Sequence, residues 1–330
     1  MHDTRKKILD VQNLSVHFQG LERSVVAVKN LSFHVGRGEI LGIVGESGCG
    51  KSVTSLAIMG LLGKSAKIAT GAILLEGEDL LRKPEAELRK IRGNKVSMIF
   101  QEPMTSLNPV FSVGQQIIEP IVLHQKKSKN QARADAIELL KLVQISDPER
   151  RLNNYPHELS GGMRQRVMIA MALACQPDVL IADEPTTALD VTIQAQILDI
   201  LRDIRQRLGT AIILITHDLG VVAEACERVM VMYAGQKIEE GRVAEVLFQP
   251  SHPYTQALIH SLPAYSDFQG ESTRLVELPG IVPTMTPDSQ GCPFYSRCSQ
   301  ALDACASRAL TELAVGGTHR IWCRDGLPGH

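Results

Sequence analysis

The sequence predicts an α/β fold around a mostly parallel sheet, and three observations carry that prediction. Short apolar runs recur, each of strand length: Glu39–Val44 (EILGIV), Lys95–Phe100, Val179–Ala182 and Ala211–Thr216. Continuous runs of this kind are how strands buried on both faces read. Helical spacing fills the stretches between them, so strands alternate with helices. The first run ends in a glycine-rich loop followed by a helix-compatible stretch, Val53–Leu62.

In chain order, Ile8–Phe18 alternates enough to read as a strand, as does Ala72–Leu75. Between Pro103 and Gln176 the pattern turns helical. Ser128 and Gln131 form a capping box, and Ala136, Ile137, Leu140 and Val143 follow at helical spacing. After Gly241 the chain grows rich in Pro and Gly, with LPAY, LPG and IVPTMTPDS breaking regular structure. Neither an internal repeat nor a low-complexity tract interrupts it.

At 330 residues, 44% hydrophobic and 22% charged, the composition is that of a soluble globular protein of one or two domains. A formal net charge of −1 lacks the basic excess of a nucleic-acid-binding protein. The N-terminal MHDTRKKILDVQNL carries charge with no apolar segment after it, unlike a signal peptide, and no apolar run is long enough to span a membrane. A cytoplasmic chain is expected, with any membrane association made through a partner. Seven cysteines in that compartment stay reduced, and Cys49, Cys175 and Cys226 are scattered.

Gly45–Ser52 reads GESGCGKS, the full G-x-x-x-x-G-K-[ST] pattern between strand and helix. Gly45, Gly48 and Gly50 allow the tight turn that points successive N–H groups, with those of Glu46, Ser47, Cys49 and Val53, toward phosphate oxygens. Lys51 is placed to reach the β/γ-phosphates and the Ser52 hydroxyl to ligate Mg²⁺. Cys49 sits where only a small residue is demanded and reads as tolerated, not catalytic, although a helix N-terminus can lower a thiol pKa. Downstream, VLIADE sets Asp183 and Glu184 at the end of an apolar run. One carboxylate there can hold the Mg²⁺ shell while its neighbour takes a proton from attacking water.

The stretch Leu159–Met163 (LSGGM) resembles the signature of the ABC ATPases. Gln101 matches their Q-loop glutamine, with a place in the Mg²⁺ shell. Ala188–Leu189–Asp190 resembles their D-loop, and His217 after AIILIT their switch histidine. Ser160, Gly161 and Gly162 precede the helical run Met163–Ala174, a second anion site at a helix N-terminus. In the family it faces the γ-phosphate of ATP held on the opposite subunit. The resemblance implies a P-loop NTPase (RecA-like) core with an antiparallel β subdomain, an inserted helical subdomain and a small Cys-rich C-terminal extension. The corresponding divisions are 1–102 for the β subdomain and phosphate-loop part of the core, 103–177 for the helical subdomain with the signature, 178–250 for the rest of the core, and 251–330 for the extension. Glu184, His217 and Lys51 would carry catalysis.

His252–Pro263 (HPYTQALIHSLP), Leu278–Pro283 (LPGIVP) and Gly291–Cys298 (GCPFYSRC) resemble the C-terminal extension of bacterial peptide-importer ATPases, and EPMTSLNP at Glu102–Pro109 extends the match. Dipeptide importers are most similar; oligopeptide and nickel importers share much of the pattern. The family implies ATP, Mg²⁺, a second ATPase subunit (a paralogue in preference to a second copy), two membrane-spanning permease subunits and a periplasmic peptide-binding protein. It would place the chain at the cytoplasmic face of the inner membrane, where ATP-driven closure powers peptide uptake. The family's adenine-stacking aromatic is missing: ERSVVAV offers Val25 and Val26, and Phe18 nearby alternates as a core side chain.

Cys292, Cys298, Cys305 and Cys323 are spaced C-x5-C-x6-C-x17-C, which leaves zinc, an iron–sulfur cluster and free thiols open. The family resemblance implies a [4Fe-4S] cluster. Because the tail is poor in periodic apolar sequence, the cluster is expected to staple it, well away from ATP. A DNA-repair or chromosome-type ABC ATPase is the rival from another class. It would carry a long coiled coil between phosphate loop and signature, and no sustained heptads occur there.

Overall fold

The computed structural model describes residues 5–20, 23–101, 106–187, 190–261, 278 and 280–323. The readings placed on 102–105, on Ala188 and Leu189, and on the LPAY segment lie outside these residues.

Two sheets organise the chain. In the smaller, β1 (Lys7–Gln19) and β2 (Ser24–Gly36) form a long antiparallel hairpin, extended by β4 (Ala66–Leu75) and β5 (Glu78–Asp79) in the order β2-β1-β4-β5. The expectation at Ile8–Phe18 matches β1, but β2 was not legible. Its buried positions run Val26, Val28, then Leu31, Phe33, Val35, so the alternation slips by one residue at Lys29–Asn30. Pairing with β1 shifts register there, and Asn30 and Asn13 take left-handed φ of 50° and 48°. An extra residue at a bulge breaks the period of two that marks a strand.

The larger sheet runs β11 (Thr311–Gly316), β12 (His319–Cys323), β10 (Gln236–Arg242), β9 (Arg228–Tyr233), β3 (Ile40–Val44), β8 (Ala211–Ile215), β7 (Val179–Asp183), β6 (Val96–Ile99). Strands β6, β7, β8, β3 and β9 are parallel, as the apolar runs predict, and every residue of β3, β7 and β8 is buried. β10, β12 and β11 continue it antiparallel.

Helices Val113–Gln125, Lys129–Leu142 and Gly161–Ala172 share one core through Ile117, Ala136, Leu140 and Ile169. The predicted capping box is present, Ser128 accepting from the Gln131 N–H while the Gln131 side chain accepts from the Ser128 N–H. The signature glycines, read as preceding their helix, instead form its first turn. Their N–H groups remain free of intrahelical partners, as in any first turn.

The tail packs on the main body. It does not stand apart: Tyr254, Ile259, Met285 and Phe294 share a core with Val26, Val44 and Tyr233. The Tyr233, Tyr254 and Phe294 rings meet at centroid distances of 4.7, 5.2 and 5.3 Å. Backbone pairing of β12 with β10 at Glu239↔Ile321 carries the tail into the main sheet. Glu239, fully buried, accepts from the N–H groups of Ser251 (2.7 Å) and His252 (3.1 Å) and pairs with His319 Nε2 at 2.6 Å. One carboxylate thus ties sheet, helix start and terminal hairpin together.

Candidate functional site

Parallel strands end where their backbone groups leave the ladder, so side chains just beyond the carboxyl ends face a shared crevice. Four adjacent strands deliver the sequence-predicted residues there. Gly45 follows β3, Gln101 lies just beyond β6, Asp183 and Glu184 close β7, and His217 follows β8.

The phosphate loop is shaped by close approach. A Cβ on Gly45 would stand 2.2 Å from the Met232 carbonyl oxygen, and one on Gly50 2.5 Å from that of Ala27. Both have positive φ, 154° and 97°, so neither position accepts a side chain without moving backbone. The helix Lys51–Ile58 starts directly after Gly50. Lys51 folds back, its Nζ 2.7 Å from the Gly45 carbonyl and 3.0 Å from that of Glu46.

Cys49 lies inside the loop. Its thiol is fully buried, and burial pushes it above the usual range; the Lys51 ammonium, 3.6 Å from Sγ, offsets only part of that. Desolvation outweighs the helix terminus here.

Asp183 is buried beside Ser52. Burial raises its pKa, the Ser52 hydroxyl and Lys51 oppose the rise, and the Glu184 charge adds to it. Its Oδ1 has no hydrogen-bond partner among the described residues. Glu184 adopts a left-handed φ of 48°, uncommon for a residue with a Cβ, while its N–H donates to the Ile215 carbonyl at 2.9 Å. That turn carries its carboxylate to three partners: Gln101 Nε2 and Thr187 Oγ1, each 2.8 Å from Oε2, and His217 Nδ1, 3.2 Å from Oε1. Burial works against ionisation, but the bonds from Thr187 and His217 outweigh it and hold the carboxyl below its ordinary range. Thr187 escaped the sequence reading, although it sits only three residues past Glu184.

Ser160 and Gly161 are exposed, and Gly162 is half-buried against Ile193. Ser160 caps its own helix, accepting from the Met163 N–H at 3.4 Å. Asp190, also exposed, caps the helix Val191–Leu208 through the Ile193 N–H at 2.8 Å. The turn Pro156–Glu158 leads into the signature, closed by Glu158 on the Tyr155 N–H at 2.7 Å. Phe18 is not core: half-exposed, it pairs across the hairpin with Val25, itself half-exposed, whereas Val26 is buried.

Cys292, Cys298, Cys305 and Cys323 line a single small chamber with His252 and Phe294. Burial pushes the Cys292 thiol to about 12, with the other three thiols adding to the rise. His252 is buried, Nδ1 accepting from the Tyr254 N–H at 3.1 Å while Nε2 has no partner among the described residues. Among those residues no three His, Cys, Asp or Glu side chains are grouped as ligands of a metal ion. The chamber is not remote from the phosphate loop. Arg297, between Cys292 and Cys298, reaches Glu46, and the Tyr254 hydroxyl accepts from the Glu46 N–H at 3.0 Å. Separations of over 200 residues left no local signal for these contacts.

Among the described residues, no helix is long and apolar enough to cross a membrane. Residues 28–187 match the ABC transporter family, and residues 238–305 match the C-terminal region of the oligopeptide/dipeptide transporter family. A probable peptide ABC transporter ATP-binding protein of Sinorhizobium fredii is 53% identical over 96% of this chain and 94% of its own length. A dipeptide transport ATP-binding protein of Bacillus subtilis is 52% identical over 98% and 97%. Among solved structures, a dimeric ATP-binding cassette in a post-hydrolysis state with ADP and Pi is 29% identical, with a TM-score of 0.65 over 71% of this chain and 98% of its own.

Proposed function

This chain belongs to the peptide branch of the ABC transporter ATP-binding proteins, and from that premise we propose that it hydrolyses ATP to power import of short peptides, dipeptides foremost. The observation that carries the reading is the convergence of Gln101, Asp183, Glu184 and His217 at the ends of three neighbouring strands, with Lys51 opening the helix that follows the adjacent strand β3. Glu184, held ionised, takes the proton of attacking water while His217 and Gln101 orient it. The N–H groups of Ser47, Gly48 and Gly50 through Val53 and the Lys51 ammonium bind the phosphates.

The unpartnered Oδ1 of buried Asp183, beside the Ser52 hydroxyl, is a donor set suited to Mg²⁺, with Gln101 completing the shell. When bound, the cation neutralises charge on the phosphates. Ser160 and Gly161 face solvent, with Gly162 beside them, so they serve ATP held on a second ATPase subunit, with Asp190 at the same contact. The cassette solved with ADP and Pi is such a dimer. The exposed apolar side chains Val110 and Phe111, shortly after Gln101, suit contact with membrane-spanning subunits. Divisions at 102, 177 and 250 follow these roles.

The four cysteines hold a [4Fe-4S] cluster. Support comes from four thiols around one chamber and an orphaned buried nitrogen, His252 Nε2, at its wall. Structural zinc usually shows close C-x₂₋₄-C pairs, which the C-x5-C-x6-C-x17-C spacing lacks. When bound, the cluster cross-links the turns around Cys292, Cys298 and Cys305 to strand β12.

Co-purification with the membrane subunits tests the whole reading. ATP turnover in the assembled complex should rise with di- and tripeptide in the presence of the binding protein. Turnover that responds to duplex DNA instead would favour the repair-type class, and stimulation by nickel alone would move the cargo. Anaerobically purified protein should carry about four irons per chain. One zinc per chain, or none of either metal, would remove the cluster.

A further inference from the structure

Glu46, second residue of the phosphate loop, has all three of its polar groups engaged. Its N–H donates to the Tyr254 hydroxyl at 3.0 Å, its carbonyl accepts from Lys51 Nζ at 3.0 Å, and its carboxylate meets Arg297. The Arg297 contact is two-pronged: Nη1 lies 2.9 Å from Oε2 and Nη2 3.2 Å from Oε1. Paired N–H donors on one carboxylate fix direction as well as distance.

Arg297 is itself held. Its side chain is only 5% exposed, Nη1 also donates to the Tyr233 hydroxyl at 3.1 Å, and Nη2 to the Leu278 carbonyl at 3.2 Å. It stands on the single turn Tyr295–Arg297, closed by the Tyr295 N–H on the Cys292 carbonyl (3.1 Å) and the Cys298 N–H on the Tyr295 carbonyl (3.3 Å). A guanidinium with fixed stem and four acceptors cannot follow a moving Glu46 without breaking buried charged bonds.

We infer that Arg297 is a positioning residue for the nucleotide: from the tail it sets the conformation of the phosphate loop through Glu46. The inference rests on ATP being the ligand of that loop. Lys51 must leave the carbonyls of Gly45 and Glu46 to reach phosphate, and the loop keeps its shape meanwhile because Glu46 is anchored from outside. Coupling between two sites is reciprocal, so bound nucleotide in turn orders the turn between Cys292 and Cys298.

The test measures affinity of the full chain for a non-hydrolysable ATP analogue, and KM and kcat of the assembled complex. Arg297→Met should weaken binding by roughly 5- to 150-fold, the usual span of coupling between linked sites. KM should rise while kcat at saturating ATP stays near the parent value, and Arg297→Lys should recover part of the affinity. Glu46→Gln should show the same KM effect, and the double variant should be no worse than the poorer single one. Parental affinity in a folded Arg297→Met, or additive losses in the double variant, would overturn the assignment. If Arg297→Met does not fold, Glu46→Gln decides: parental affinity with parental melting overturns it equally. A parent chain that binds no nucleotide would sink the functional reading and this inference together.

Discussion

At the phosphate site Gln101, Asp183, Glu184 and His217 stand on or within two residues of a buried parallel strand; around the cysteine chamber, only Cys323 of the four thiols lies on a strand at all. Ladders of backbone hydrogen bonds order the first region, and short turns closed by side chains order the second. Glu239, Arg297 and Tyr254 anchor those turns to the core with buried polar bonds. The difference teaches that one molecule can hold chemistry rigidly in two ways. Strand ends tolerate loss of a single side chain, whereas anchored turns depend on each anchor.

The sharpest break between the regions is chemical. Glu184→Gln removes the base but keeps shape and the bonds from Gln101 and Thr187. Turnover should fall roughly 10²- to 10⁴-fold while the melting transition and ATP affinity stay near those of the parent. Turnover within threefold of the parent, in the assembled complex, would take Glu184 out of that role.

Next in size is an anchor of the tail. Glu239→Leu strands His319 and the N–H groups of Ser251 and His252 in a buried setting. Losing one partner of a buried pair costs about 3–5 kcal/mol, to be read by chemical denaturation. Limited proteolysis should cut the tail first, with kcat at saturating ATP retained in the folded fraction. Equal protection of tail and core would mean that the two regions are ordered alike.

The smallest effect lies on β2, the strand both regions touch. Val25 faces outward opposite Phe18, where the family's aromatic is absent. Val25→Tyr should tighten nucleotide binding by roughly 1–3 kcal/mol, the scale of base–aromatic stacking. Calorimetry on the Glu184→Gln background measures it, and unchanged affinity would mean that Phe18 or another group already covers the base.

Much of this was legible without coordinates. The phosphate loop, the carboxylate pair that ends VLIADE, the parallel strands and the capping box at Ser128 are written in residues that act on near neighbours. Apolar runs, glycines before Lys51 and a Ser three residues before Gln131 state their structure locally. Other features belong to tertiary structure alone. β2 hid because a bulge at Asn30 broke its period, and only pairing with β1 shows it. The Cys49 thiol follows burial, which no neighbour in sequence reports. Above all, the tail was expected to rest on a cluster well away from ATP because it lacks periodic apolar sequence of its own. Its core is borrowed: Phe294 packs on Tyr233, β12 extends β10, and Arg297 meets Glu46 across 251 residues. Local propensity is a property of adjacent residues, but desolvation and charge pairing depend on what the folded chain brings near, and here that decided where the tail sits.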